Sequence, residues 1–317
     1  MTLKVNLRDL SKQPDLLSPG HRLCPGCAEP IIVRHVLNIA GPNTVVVNAT
    51  GCLEVSTTPY PQTAWRVPWL HNAFENSAAT ASGVEAASRA LQKRGRLNGE
   101  APRLVTFAGD GGSYDIGLQS LSGALERGHR FVFVCLNNEA YMNTGVQRSS
   151  ATPIGAATTT SPAGTVVGGK TQWRKDLTEI VVGHGIPFVA QASPHHWKDF
   201  LRKVDKAFNA QGPAFINTLS PCPRGWRSES DASIELGRIA ADTCVWPLYE
   251  VEDGVYNLSY RPRQKKPVTE WLAVQGRFRH LMKPENAHLA ETFQEAVDRS
   301  WEKLLARCGV TNGAATS

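Results

Sequence analysis

The 317-residue sequence contains no run approaching the roughly 18 to 20 uninterrupted apolar residues that a membrane-spanning helix needs, so a helical membrane protein is not expected. Its first residues, MTLKVNLRDLSKQPDLL, lack the apolar core of a signal peptide, and the cytoplasm is the expected location. No long polar tract is present, which argues against a disordered chain. Basic residues are not concentrated: the formal charge is +6, yet RPRQKK at 261–266 is the one dense cluster, and no nucleic-acid partner is expected. A disulfide framework is also missing, because the cysteines number seven, an odd count, and no export signal accompanies them. Metal or cluster ligation is the better use for such thiols.

The chain does have 41% hydrophobic residues, arranged as short β-branched runs alternating with longer segments of helical period. Strands are expected at 44–48, 104–108, 131–136, 188–192 and 214–219, each nearly all apolar, as suits strands covered on both faces. Helices are expected at 29–39, 73–93, 115–127, 172–184, 196–210, 233–243 and 287–307. The second of these is rich in small residues, Ala78, Ala79, Ala81, Gly83, Ala86 and Ala87, which permit close approach of another helix or subunit. The stretch 145–169, full of Thr, Gly, Ala and Pro, is expected to be a long functional loop, and the Trp-rich stretch 59–76 another loop. The fold class is therefore α/β, a mostly parallel sheet sandwiched by helices. The pattern weakens after about Trp246, dividing the chain into a main unit at 1–250 and a C-terminal extension at 251–317 that reaches a neighbouring subunit.

Two constellations carry chemistry. In the first, the strand at 104–108 runs into Gly109-Asp110-Gly111-Gly112 and a helix, and the next strand ends at Asn137-Asn138. Glycines at a strand end let backbone approach a diphosphate, and the following helix N-terminus offers N–H donors. Asp110 offers a hard carboxylate oxygen to Mg²⁺, with the side-chain carbonyl of Asn138 and the main-chain carbonyl of Ala140 as further ligands. Both pieces lie at the carboxyl ends of parallel strands, where open α/β sheets bind ligands.

The second constellation is Cys24-Pro25-Gly26-Cys27, Cys52 and Cys222, all at strand or loop ends. Four such thiolates suit a [4Fe–4S] cluster or structural Zn²⁺ equally well, and spacing alone does not separate them. A thioredoxin-like redox pair would leave Cys52 and Cys222 unexplained. Cys135, Cys244 and Cys308 have no partnered spacing and are expected to be ordinary thiols, as His184, His195 and His196 are expected to be ordinary histidines.

The segment GDGGSYDIGLQSLSGALERGHRFVFVCLNNEAYMNTGVQRS at 109–149 resembles the cofactor segment of the β subunit of pyruvate:ferredoxin oxidoreductases, within the 2-oxoacid:ferredoxin oxidoreductase family. HRLCPGCAEP, ATGCLEV and SPCPRGW resemble its three cluster-binding stretches in the same order, with Pro25 and Ala28 as modest departures, and the likeness spans about 18–249. The resemblance implies a thiamine-diphosphate-binding fold and the cofactors thiamine diphosphate, Mg²⁺ and a [4Fe–4S] cluster on Cys24, Cys27, Cys52 and Cys222. It implies Gly109, Gly111 and Gly112 around the diphosphate, Asp110, Asn138 and Ala140 on the metal, and Asn143 and Thr144 against the cofactor, with Asn143 nearest the reacting atoms. It also implies α-, γ- and δ-type partner subunits, one of which carries the carboxylate that activates the cofactor, with coenzyme A and ferredoxin as further partners. Pyruvate is the expected substrate, with oxalate or another 2-oxoacid as the alternative. A non-oxidative thiamine-dependent lyase with structural zinc, or a zinc-stabilised binding module, are the rival readings.

Overall fold

A computed structural model describes residues 6–97, 99–164 and 166–310; the outer ends of the expected units, 1–5 and 311–317, lie outside the described residues. Eight strands form one sheet: β1 (Thr44–Ala49), β2 (Trp69–Asn72), β3 (Arg103–Gly109), β4 (Val132–Asn137), β5 (Phe188–Ala192), β6 (Ala214–Leu219), β7 (Tyr249–Glu252) and β8 (Val255–Leu258). Their order across the sheet is β2-β1-β3-β4-β6-β5-β7-β8. Neighbours from β2 through β5 pair in parallel, and β5–β7 and β7–β8 pair antiparallel.

The five expected strands correspond to β1, β3, β4, β5 and β6. Every residue of β4, β5 and β6 is buried, because helices cover both faces. Alternation along the strands divides the interior: Val46, Val134 and Ile216 point into one core with Val36 and Phe200, whereas Val47, Phe133 and Phe215 point into the other with Leu121 and Trp271. Helices Glu29–Ala40 and Trp197–Asn209 pack together over the first core, and Ser77–Lys93 and Leu118–Glu126 over the second.

Several local expectations are corrected. The stretch 59–76 contains edge strand β2, whose half-exposed residues give no buried apolar run. The helix expected from 73 starts at Ser77, and that expected over 172–184 shortens to Leu177–Val182, capped where Glu179 N donates to Asp176 Oδ1 at 3.1 Å. The helix expected over 115–127 is preceded by a π-turn at Gly111–Asp115 and begins at Leu118. The junction needs glycine, since a Cβ on Gly117 would stand 2.0 Å from the Gly112 carbonyl oxygen.

The expected boundary at residue 250 falls inside β7, and the sheet continues across it through a hairpin turned at Asp253 and Gly254, both at positive φ. From Thr269 the chain returns to its own core. Trp271, Phe278 and Phe293 are fully buried beside Trp226, with ring centroids 5.4 to 6.0 Å apart. Among the described residues no helix is long and apolar enough to cross a membrane.

Candidate functional site

The chain runs from β1 outward to β2, then crosses to β3 on the other side of β1, so the strand order reverses between β1 and β3. A crevice opens at the carboxyl ends of such strands. Here it is a pocket of about 450 Å³, counting its open mouth. Its walls include Thr50 after β1, Gly109 at the end of β3 and Asn138 after β4.

Of the residues singled out from the sequence, Gly109, Gly111, Gly112, Asn138, Ala140, Asn143, Thr144 and Cys52 line this one pocket. Asn143 and Thr144 are exposed at its rim. Asp110, fully buried, lies between two pocket-lining glycines without itself lining the pocket. A Cβ on Gly109 would meet nothing within 4 Å, which leaves a cradle beside the strand end. Gly111 is required for a different reason: a Cβ there would stand 2.2 Å from Cε1 of Tyr141, whose hydroxyl donates to the Gly111 carbonyl at 3.1 Å.

The polar atoms of this loop are incompletely paired. Asp110 Oδ2 accepts a 2.5 Å hydrogen bond from Ser149 Oγ, while Asp110 Oδ1 is buried without a partner. Asn138 Nδ2 donates to Glu29 Oε1 at 3.2 Å, and Asn138 Oδ1 is likewise buried and unpartnered. Orphaned buried oxygens are expensive and need an explanation. Two oxygen acceptors on adjacent strand ends form a hard donor set that fits a Mg²⁺ ion. Desolvation pushes the Asp110 carboxyl up to about 8 against the lowering effect of the Ser149 hydrogen bond. A cation beside Oδ1 would reverse that shift by favouring the carboxylate.

Glu29 is the residue that sequence reasoning missed. The sequence marks it only as the start of a helix and as part of the HRLCPGCAEP stretch, with no role of its own, yet its buried carboxyl lines the pocket, holds Asn138 and keeps Oε2 unpartnered. Burial pushes it up to about 7, with the Asn138 hydrogen bond acting the other way, so it can exchange a proton near neutral pH.

The cysteines gather near the same end of the sheet. Ala28 N donates to Pro221 O at 3.4 Å, tying the loop of Cys24 and Cys27 to that of Cys222, and Gly225 N donates to Cys222 Sγ at 3.3 Å. Gly26 allows the first loop to press on its neighbour, where a Cβ would stand 1.9 Å from Ser230 O. Burial raises the thiols of Cys27, Cys52 and Cys222, the last to about 11, and each is raised further by the nearby carboxyl of Glu29 and by another of the four cysteines. Among the described residues no group of three or more His, Cys, Asp or Glu side chains is arranged to hold a metal ion. The donor chemistry of four neighbouring thiols suits a [4Fe–4S] cluster or Zn²⁺. Cys135 and Cys244 are buried in the core, and Cys308 follows the last helix.

A glycine-framed crevice at a topological switch point, with hard oxygen donors beside it, suits a diphosphate-bearing ligand, and comparison with known proteins identifies the class as a thiamine pyrophosphate enzyme. The family described as "Thiamine pyrophosphate enzyme, C-terminal TPP binding domain" matches residues 49–218. The chain is 50% identical to pyruvate synthase subunit PorB of Methanocaldococcus jannaschii, covering 92% of this chain and 96% of that protein. Against the subunit of the same name from Thermotoga maritima it is also 50% identical, covering 98% of each. Ketoisovalerate oxidoreductase subunit VorB of Pyrococcus furiosus is 43% identical over 90% of this chain and 91% of that protein. The chain belongs to this PorB-type family of thiamine-dependent 2-oxoacid oxidoreductase subunits. Its fold is shared with a solved 2-oxoglutarate:ferredoxin oxidoreductase from Magnetococcus marinus, at a TM-score of 0.53 and 19% identity over 96% of this chain and 94% of that one.

Proposed function

We propose that the chain is the thiamine-diphosphate-binding subunit of a pyruvate:ferredoxin oxidoreductase, which converts pyruvate to acetyl-CoA and CO₂ and passes single electrons to ferredoxin. The observation that carries this reading is the pair of orphaned buried oxygens, Asp110 Oδ1 and Asn138 Oδ1, flanking a glycine-framed pocket at the switch point of the sheet. The PorB names of its relatives support pyruvate. The VorB relative favours a branched 2-oxoacid as the second reading, and oxalate is a third candidate for the assay.

When bound, thiamine diphosphate supplies the electron sink for decarboxylation and a [4Fe–4S] cluster the one-electron acceptor. Asp110, Asn138 and the Ala140 carbonyl would hold Mg²⁺, with Gly109, Gly111 and Gly112 framing the diphosphate. Asn143 and Thr144 stand at the rim, where Asn143 can orient the substrate carboxylate with its amide. Cys24, Cys27, Cys52 and Cys222 would hold the cluster. Burial of Glu29 beside Asn138 keeps a proton-exchanging group in the pocket wall. The activating carboxylate would come from a partner chain, and the PorB relatives, themselves named as subunits, support a complex with α-, γ- and δ-type partners. The cofactor-binding unit at 1–250 shares its sheet and core with the extension that begins at 251, whose Trp271 and Phe293 complete that core and whose outer face meets a partner. All seven cysteines are free, which suits the reducing cytoplasm.

Iron analysis with electron paramagnetic resonance on the anaerobically purified, reduced complex tests this reading, alongside turnover of pyruvate, 3-methyl-2-oxobutanoate and oxalate with and without coenzyme A. The expected result is an iron-based signal and coenzyme A-dependent oxidation of pyruvate. Cys52→Ser should retain thiamine diphosphate and lose dye-linked turnover. A complex containing zinc and no iron would replace it with a non-oxidative lyase.

A further inference from the structure

We propose that Arg277, from the C-terminal extension, is a positioning residue that fixes the metal-binding loop and braces it against the turn carrying Cys222. The inference rests on the assignment of Asn138 and Ala140 to the metal. Between those two residues sits Glu139, with a φ of 67°. That left-handed conformation is uncommon for a residue with a side chain and persists only where the surroundings hold it. It lets the residues on either side, Asn138 and Ala140, line the pocket while the Glu139 side chain is buried away from solvent.

Four contacts hold Glu139 there. Its N–H donates to Asn137 Oδ1 at 3.1 Å and its carbonyl accepts from Thr152 Oγ1 at 2.7 Å. Glu139 Oε1 accepts from Arg174 Nη1 at 3.0 Å, and Oε2 from Arg277 Nη2 at 2.5 Å. Arg277 is itself buried and is oriented by Gln275 Oε1, 2.9 Å from its Nε. Its guanidinium carbon lies 4.2 Å from the ring centroid of Trp226, which stacks it in place. Trp226 in turn donates through Nε1 to the Asn138 carbonyl at 2.8 Å.

Arg277 therefore reaches the loop twice, through Glu139 and through the indole beneath it. Trp226 closes the short helix Pro223–Trp226 that follows Cys222, so one brace serves both the metal loop and a cysteine-bearing turn. Buried ion pairs contribute little net stability after desolvation, and fixing one geometry is the better reason for this one.

The test is a Mg²⁺ titration of thiamine diphosphate retention in the whole complex, followed by near-ultraviolet circular dichroism, with Tm measured on the same preparations. Arg277→Lys keeps a donor for Glu139 but loses the planar stack. Glu139→Gln with Arg277→Met removes both charges together. Trp226→Phe removes the indole N–H and part of the ring under Arg277 while leaving every charge in place. The Mg²⁺ needed for half-maximal retention should rise about tenfold in the double variant and in Trp226→Phe, with Arg277→Lys between these and wild type. An unchanged Mg²⁺ requirement in all of them, whatever their Tm, overturns the proposal and leaves Arg277 as a core residue. Should the double variant not assemble, Trp226→Phe decides by the same criterion. If wild-type retention itself shows no Mg²⁺ dependence, the assignment of the metal loop fails, and the brace with it.

Discussion

Ser149 Oγ donates a 2.5 Å hydrogen bond to Asp110 Oδ2, spanning the loop after β3 and the segment after β4, and leaves the buried Oδ1 of the same carboxyl without a hydrogen-bond partner. The bond lowers a carboxyl that burial otherwise pushes up. Ser149→Ala should therefore raise the pH at which Asp110 ionises and weaken Mg²⁺ binding by about tenfold at neutral pH. A Mg²⁺ titration of cofactor retention at two pH values measures this, and the deficit should shrink as pH rises.

Gly111→Ala places a Cβ 2.2 Å from the Tyr141 ring. The ring must move and give up its hydrogen bond to Gly111 O, for a loss of about 1–3 kcal/mol. Thermal unfolding should show the destabilisation, and cofactor retention should fall with it because Tyr141 also lines the pocket.

His195 gives a pH signature away from the site. Desolvation lowers it to about 4, helped by stacked His196, whose ring centroid lies 5.4 Å away, and opposed by Asp242. Because the unfolded chain binds this proton near 6.5 and the folded chain does not, stability is full above pH 6.5 and is lost as pH falls toward 4. The contribution is at most about 3 kcal/mol. His195→Gln should flatten the wild-type slope of unfolding free energy between those pH values.

Trp271→Ala tests whether the extension belongs to the core. The side chain is fully buried between Trp226 and Phe278, and its loss should cost about 3–5 kcal/mol in chemical unfolding. A change near zero would mean the extension folds as a separate arm.

What the sequence made legible follows from burial. Strands β3, β4, β5 and β6 are covered on both faces and leave near-continuous apolar runs, so the Gly-Asp-Gly-Gly turn and Asn138 could be placed at strand ends. Edge strand β2, with His71 exposed, and the hairpin of β7 and β8, with Glu252 and Asp253 exposed, leave no such run. Glu29 was hidden because its role depends on meeting Asn138 from 109 residues away. Arg277 was hidden for the same reason: it meets Glu139 across 138 residues, and nothing local in RFRH distinguishes it from a surface arginine.

Retention of thiamine diphosphate by an Asp110→Ala complex, measured with and without excess Mg²⁺, tests the central claim most directly. The account predicts that the variant assembles but loses Mg²⁺-dependent retention of the cofactor, while the wild type keeps it. Unchanged retention in the variant would contradict the assignment of this loop as the thiamine-diphosphate site.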